Sequence, residues 1–353
     1  MRIPYLFSFL ILLASCETEI SDFKTQNLSS AVVVYGEMSA LAGPYTVRLV
    51  YTSGYSPFDV TQFQGQVIPG ADVRIIDELG AYVLLKETQK GVYQTSKNFK
   101  GTVGKKYKVR IKTSDGKEIE STLDELKSSV NLSEFSFVFK NSEKVENMRF
   151  DLTAKIADNK NTEDYFLIKR QDFIQFLTTC PEPPPPPAPV PSCDCKCWQA
   201  PPNTQAILAN DFLVNGSSIS LGLSPVEYRD FTDYIVELQV YNVSKATYQF
   251  WNRQEEQRKI GGGLFDKVPA QIIGNLTCLN DPGQQVLGFF MVGGLNKQRL
   301  LVDRFTNVPA DAYKKLAYYV ELNNIRYKNY ALWDCRKASW VPYNLGLTLP
   351  VLP

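Results

Sequence analysis

The chain of 353 residues contains no histidine. Without an imidazole, Ser-His-Asp and Cys-His catalytic arrangements and all histidine-ligated metal sites are excluded. The remaining catalytic options are a carboxylate pair, a Ser-Lys pair or a lysine alone. Because the chain has 37 acidic residues, some carboxylates must lie close together by chance. We therefore expect no enzymatic activity, no catalytic residue and no cofactor or metal ion.

The sequence also has a net charge of only +1 and lacks a second long apolar run. It has 38 basic and 37 acidic side chains, and Arg2 is the one charged residue among the first fifteen. A chain that is neutral beyond that point gives no reason to expect nucleic acid as a partner. The only long apolar run is YLFSFLILL at residues 5–13, which is shorter than the roughly 20 residues of a membrane-spanning helix.

The N-terminus is typical of an export signal that ends at a lipidated cysteine. Arg2 precedes the apolar run, and Leu13, Ala14 and Ser15 place small residues before Cys16. We predict a lipoprotein signal peptide at residues 1–15. Cys16 then becomes the lipidated, palmitate-bearing N-terminus, and residues 16–29 form a polar tether. The alternative is an ordinary secretory signal, in which Cys16 is incidental.

Residues 30–125 have the pattern of a β-sandwich. About seven short β-rich segments follow one another with turns every 8–12 residues and no helical periodicity. At residues 45–51, Val47 and Leu49 alternate with polar neighbours, and Asp115-Gly116 is a hairpin signal. We predict a first domain of immunoglobulin-like or transthyretin-like fold.

Residues 130–353 are predicted to form a second β-rich sandwich domain with one or two short helices. Phe135, Phe137 and Phe139 alternate along one strand, and further strands are expected at residues 148–157, 165–170, 233–241, 286–292 and 299–303. Ser244 can cap a helix over residues 245–259, and residues 310–319 form the second candidate helix. The aromatic stripe of the first helix, with Tyr248 and Trp251, favours core packing over a sugar-stacking platform.

A proline- and cysteine-rich loop at residues 178–202 interrupts the second domain. Its PEPPPPPAPVP run favours polyproline II, which is typical of a stiff spacer or, alternatively, of a ligand for a proline-binding groove. Long loops in compact domains are often functional. We therefore regard this loop as a candidate interaction surface.

Six cysteines remain beyond Cys16, an even number that indicates disulfides in an exported chain. The candidates are Cys180, Cys193, Cys195, Cys197, Cys278 and Cys335. Residues 193, 195 and 197 would point to one face of a strand, so each is expected to pair outside its own cluster. The alternatives are a thiolate metal site, although this spacing is not that of structural zinc, and free thiols.

Several short motifs together resemble a known family. They are, in chain order, the segment ending at Cys16, Val34-Tyr35-Gly36-Glu37, Gly43-Pro44-Tyr45-Thr46-Val47, Pro69-Gly70-Ala71-Asp72-Val73, Gly91-Val92-Tyr93, Gly104-Lys105-Lys106-Tyr107, Cys195 to Trp198, Gly262-Gly263-Leu264-Phe265-Asp266, Gly274-Asn275 and Val286-Leu287-Gly288-Phe289-Phe290. Their order resembles that of the Bacteroidota lipoproteins known as domain of unknown function 4249. The resemblance covers nearly the whole chain.

The resemblance implies an outer-membrane lipoprotein that works beside a TonB-dependent outer-membrane transporter, and it supplies no catalytic residue. Glu17 and Glu19 are similar to signals that send such lipoproteins to the cell surface. We expect a non-enzymatic binding or accessory protein for nutrient uptake, with a glycan or peptide as ligand. A carboxylate-dependent glycan hydrolase and a purely structural envelope protein are the alternatives.

Overall fold

The computed structural model describes residues 30–52, 66–157, 159–160, 162–178, 195–203, 205–212, 216–229, 233–260, 271–304 and 307–323, with the main chain alone at 176–178 and 195–197. The predicted signal peptide, Cys16, the tether, and Cys180, Cys193 and Cys335 lie outside these residues. So does most of the proline-rich loop.

In these residues the chain is mainly β, as predicted, with nineteen strands and two α-helices. The strands of the first half are β1 (Val32–Met38), β2 (Thr46–Tyr51), β3 (Asp72–Asp77), β4 (Tyr82–Leu84), β5 (Lys86–Gln89), β6 (Val92–Gln94), β7 (Lys106–Lys112), β8 (Glu118–Ser121) and β9 (Asp124–Glu125). Those of the second half are β10 (Leu132–Lys140), β11 (Arg149–Ile156), β12 (Tyr165–Thr178), β13 (Cys195–Gln199), β14 (Ala206–Asn210), β15 (Ile219–Leu221), β16 (Val226–Glu227), β17 (Tyr234–Val243), β18 (Leu276–Cys278) and β19 (Val286–Val302). The helices are α1 (Lys245–Arg258) and α2 (Ala310–Leu322).

One nine-stranded sheet runs through the molecule in the order β13-β12-β17-β19-β1-β2-β6-β5, with β14 beside β12. A second sheet has six strands, in the order β18-β8-β7-β3-β4 with β9 beside β7. It packs against strands β1, β2 and β6 of the nine-stranded sheet, and the two sheets enclose the first hydrophobic core. Val47 and Leu49 are fully buried in that core while Arg48 is exposed, which confirms the predicted alternation. Because each strand buries alternate residues, two sheets can enclose the core between them.

The other half of the nine-stranded sheet packs on a four-stranded sheet, β10-β11-β15 with β16 beside β11. Side chains of β12 and β17, including Phe166 and Val240, meet Phe150 of β11 in a second core. Leu316 of α2 is buried in the same core. Phe137 and Phe139 lie against this cluster, and both rings contact Phe150 in tilted or edge-on geometry.

Strand β19 connects the two halves. Its first part pairs in parallel with β1, from Val286 opposite Val32 to Val292 opposite Met38. Its second part pairs antiparallel with β17 as far as Val302. Two separate strands were predicted here, but the β-sheet hydrogen bonding is continuous over seventeen residues.

The predicted division of the chain near residues 125–130 differs from the structure in one respect. Residues 276–278 pair with β8, and residues 286–292 pair with β1, so both stretches complete the first sandwich rather than the second. The physical reason is burial, because Leu276, Val286 and Phe290 belong to the first hydrophobic core. Gly288 permits the close parallel pairing, since its φ is +91° and a Cβ there would lie 2.0 Å from the carbonyl oxygen of Val34.

Both predicted helices are present. Helix α1 begins after Ser244, whose side chain accepts a hydrogen bond of 3.3 Å from the Thr247 amide, and it ends one residue before the predicted position. Helix α2 starts as predicted and runs three residues further. Neither of these helices is long and apolar enough to cross a membrane.

Candidate ligand-binding cleft

The outer face of the nine-stranded sheet forms the floor of a large cleft. In β1, Val32, Val34 and Met38 face the first core. The intervening Tyr35 and Glu37 therefore project to the opposite side of the sheet, where they line the cleft. Helix α1 stands on this face as a wall, and the space enclosed is about 1120 Å³. We call it the helix–sheet cleft.

Aromatic packing fixes the position of the helical wall. Phe250 is 7% exposed and stacks on Phe289 of β19, with ring centroids 4.5 Å apart. It also contacts Trp251 edge-on at 6.0 Å. Trp251 is half-buried and lines the cleft. The stripe predicted as core therefore packs as expected, but Trp251 also presents surface to the cleft.

An ion pair occupies the floor of the cleft. Glu37 of β1 and Lys169 of β12 approach to 2.6 Å, and the Tyr241 hydroxyl donates a 3.0 Å hydrogen bond to the same carboxylate. The Lys169 ammonium also lies 5.1 Å from the centre of the Tyr241 ring and 5.4 Å from that of Trp251. The Glu37 side chain remains 42% exposed, so a ligand in the cleft can reach this pair.

The surroundings keep Glu37 ionised at neutral pH. Burial alone would raise its pKa, but the charge and hydrogen bond of Lys169 and the hydrogen bond of Tyr241 outweigh it, so the pKa lies below the usual 4.5. The pKa of Tyr241 is raised, first by burial and then by the neighbouring Glu37 charge. A glycosidase needs a carboxylic acid whose pKa is raised so that it can donate a proton. Glu37 has the opposite property.

A second carboxylate of the cleft also has partners. Glu255 of α1 accepts a 2.8 Å hydrogen bond from the Ala206 amide and forms a 2.8 Å ion pair with Arg258. The hydrogen bond from the Ala206 amide joins α1 to β14. Two of the three basic residues that line the cleft, Lys169 and Arg258, are thus neutralised within it. The third, Arg48, is exposed and lies directly opposite Tyr35 in the β1–β2 pairing.

A smaller pocket of about 490 Å³ lies on the other face of β12. Its charged groups bind one another: Arg170 and Asp172 approach to 2.7 Å, and the Tyr234 hydroxyl donates a 2.7 Å hydrogen bond to Asp172. Arg170 also donates to the carbonyl of Ser224. These mutual contacts favour a structural role, so the helix–sheet cleft is the stronger candidate site.

The structure describes three of the six disulfide candidates. Cys195 and Cys197 lie in β13, with main chains paired to Thr178 and Phe176 of β12, so this part of the predicted loop at residues 178–202 is a strand. Cys278 is a buried free thiol on β18, with its Sγ 3.4 Å from Asn280 Oδ1. The disulfide assignments remain predictions. Among the described residues, no group of three or more Cys, Asp or Glu side chains is arranged to hold a metal ion.

Several motif residues have structural roles close to the cleft. The Asn275 amide donates to the Phe290 carbonyl at 2.8 Å and accepts from the Phe290 amide at 3.0 Å. Glu87 accepts hydrogen bonds from the Gly70 and Gly91 amides at 3.0 and 2.9 Å. The segment Val34-Tyr35-Gly36-Glu37 contributes to the first core and to the cleft, because core residues alternate in it with the cleft residues Tyr35 and Glu37.

The fold and the site define a protein of two β-sandwiches, whose shared sheet carries a helix-walled cleft. The chain belongs to the family described as Domain of unknown function (DUF4249), whose family profile matches residues 18–299. This match confirms the family that the sequence motifs indicate. A search of curated proteins finds no match.

Proposed function

We propose that this protein is a lipid-anchored, non-enzymatic binding protein of the outer membrane, exposed at the cell surface, that serves a TonB-dependent transporter in nutrient uptake. The observation that carries the proposal is the helix–sheet cleft. It combines the solvent-accessible Glu37–Lys169 ion pair with a mainly apolar and aromatic lining, and such concave sites are the usual places for ligands on proteins.

The chemistry of the cleft supports binding over catalysis. Its two carboxylates, Glu37 and Glu255, are each held by a cation and by hydrogen-bond donors. Glu37, whose pKa is lowered, does not supply the protonated acid that hydrolysis of a glycosidic bond requires.

The sequence supports the location and the partner. A lipid on Cys16 would tether the fold to a membrane, and Glu17 and Glu19 follow it as expected for surface export. The family motifs suggest a TonB-dependent transporter as partner. In this arrangement the protein captures a nutrient in the cleft and releases it to the transporter.

The test is affinity purification of the full-length protein from its own outer membrane, followed by mass spectrometry. We expect palmitate on Cys16 and a TonB-dependent transporter in fixed proportion. A Cys16→Ser variant controls for the anchor, because it should leave the membrane and lose the transporter while keeping its fold. A wild-type protein that is unlipidated, or that is recovered alone and binds no nutrient, would contradict the proposal.

A further inference from the structure

We infer that the ligand of the helix–sheet cleft is an oligosaccharide, bound by the exposed ring of Tyr35 on the sheet and the half-buried ring of Trp251 on α1, both of which line the cleft. This inference rests on the proposed function and adds the ligand class. It is carried by four properties of the cleft: the kind of sheet surface at its floor, its exposed aromatic ring, its amide side chains and its size.

The floor is a sheet face rather than a sheet edge. Strand β1 is paired with β19 over residues 32–38 on one side and with β2 over residues 32–36 on the other. Its main-chain groups are therefore occupied, and an extended peptide cannot add as a further strand. Recognition must come from side chains, which is the mode available to a sugar.

Tyr35 supplies an open aromatic surface. It is 58% exposed although it lies on a central strand of the nine-stranded sheet. An aromatic ring offers a flat apolar face and a polar hydroxyl, which match the apolar C–H face and the hydroxyl rim of a sugar ring. Arg48 lies opposite it in the pairing of β1 with β2 and adds a planar set of donors at the same end of the cleft.

Trp251 supplies a second ring and is held before any ligand arrives. Phe250 packs edge-on against it, and the Lys169 ammonium lies 5.4 Å from its centre. A ring that is already fixed loses little conformational freedom on binding, and this lowers the entropic cost of association. The ion pair of Lys169 with Glu37 lies beside this ring and presents both a donor and an acceptor to sugar hydroxyls.

Uncharged amides supply most of the other polar groups of the cleft, beside the apolar side chains of Val33, Ile272, Leu287 and Met291. Each amide side chain offers donors and an acceptor in one plane, as neighbouring hydroxyls of a sugar require. The five that line it are Asn203, Gln205, Gln254, Gln257 and Gln271. The volume of about 1120 Å³ exceeds the upper end of small-molecule sites, about 1,000 Å³. We therefore expect a ligand of several sugar rings rather than a monosaccharide.

The test uses the purified full-length chain against a panel of oligosaccharides and of peptides of matched length, with titration calorimetry on each hit. We expect hits among the oligosaccharides, and affinity that rises with chain length beyond one sugar. Tyr35→Ala should weaken binding at least tenfold. Tyr82→Ala is the matched control, because Tyr82 is 57% exposed but lies on β4 of the other sheet, and it should leave binding unchanged.

The remaining outcomes separate this inference from the function it rests on. Binding of peptides alone would overturn the sugar assignment and leave the binding function standing. Equal effects of Tyr35→Ala and Tyr82→Ala on oligosaccharide affinity would also overturn it, because the sugar would then bind elsewhere. Trp251→Phe provides a second variant that retains a ring and the fold, and we expect it to weaken binding less than Trp251→Ala. Failure to bind any ligand together with failure to recover a transporter would contradict the proposed function itself.

Discussion

Gly36 and Phe290 are partners in the parallel pairing of β1 with β19, and the phenyl ring fills the space beside the glycine. A Cβ at residue 36 would lie 2.9 Å from Phe290 Cδ2 and 3.0 Å from Val47 Cγ2. Phe290 is fully buried. The absence of a side chain at residue 36 therefore allows the Phe290 ring to pack in the first core beside β1.

Adding a methyl group at this position should destabilise the protein. We predict that Gly36→Ala lowers the free energy of unfolding by about 1–3 kcal/mol, the usual cost of overpacking a core. Chemical denaturation monitored by circular dichroism measures it. Gly222→Ala is the control, since a Cβ there meets no atom within 4 Å. Equal stability of the two variants would contradict this prediction, because it would show that the core around Phe290 accommodates the added methyl group.

The two hydrogen bonds between Asn275 and the Phe290 main chain predict a second stability effect. In Asn275→Ala both the carbonyl and the amide of Phe290 lose a partly buried partner, which should cost about 1–3 kcal/mol. Asn280 also makes two hydrogen bonds to the main chain, with the Glu118 amide and the Gly116 carbonyl, but on the exposed surface; its third contact is the weak one of 3.4 Å with Cys278 Sγ. Because water can replace those bonds, Asn280→Ala should cost less. A larger loss in Asn280→Ala would contradict this explanation.

These relationships show which part of the fold the sequence predicts. Alternation over six or more residues identifies β2 and β7, whose buried residues Val47 and Ile111 follow the pattern. Strand β18 has three residues and no detectable periodicity. It exists because Leu276 pairs with Ser121, a contact that local sequence cannot reveal. Strand β12 likewise continues through the polar Gln171 and Asp172 because β17 pairs with both.

The residues that form the cleft are far apart in the sequence, so local sequence does not reveal this site either. Glu37 and Lys169 are 132 residues apart, and the sheet order brings their strands to the same sheet with only β17 and β19 between them. The sequence identified the Tyr35-Gly36-Glu37 segment as a motif but not as a site. Trp251 was predicted as core because helical periodicity shows which residues share a face and not which part of that face a partner leaves open.

The Glu37–Lys169 pair predicts a specific pH dependence. Because the pKa of Glu37 is lowered in the folded protein, its stabilising effect is complete above the unfolded-state pKa of about 4.3 and is lost as the pH falls through the lower folded-state pKa. Glu37→Gln removes the ion pair. We expect a loss of about 1 kcal/mol at pH 7, modest because the pair is partly exposed.

The difference in unfolding free energy between wild type and Glu37→Gln should stay constant from pH 8 to pH 5 and shrink at lower pH. Urea unfolding at a series of pH values measures it. Glu143→Gln is the control, because that side chain is 97% exposed beside Lys315 and should have little effect on stability. A difference that already disappears between pH 8 and pH 6 would contradict the lowered pKa.

The buried thiol of Cys278 leads to a prediction about the cysteines. With Cys278 free, the five other cysteines beyond Cys16 are odd in number, so they cannot all pair within one chain. Because the thiol is 7% exposed, iodoacetamide should not modify it in the native protein and should modify it after denaturation without reductant. Tryptic digestion isolates it, since residues 268–297 contain no other cysteine. Reduction before alkylation is the control, and a peptide labelled only after reduction would show that Cys278 forms a disulfide, as the sequence alone predicts.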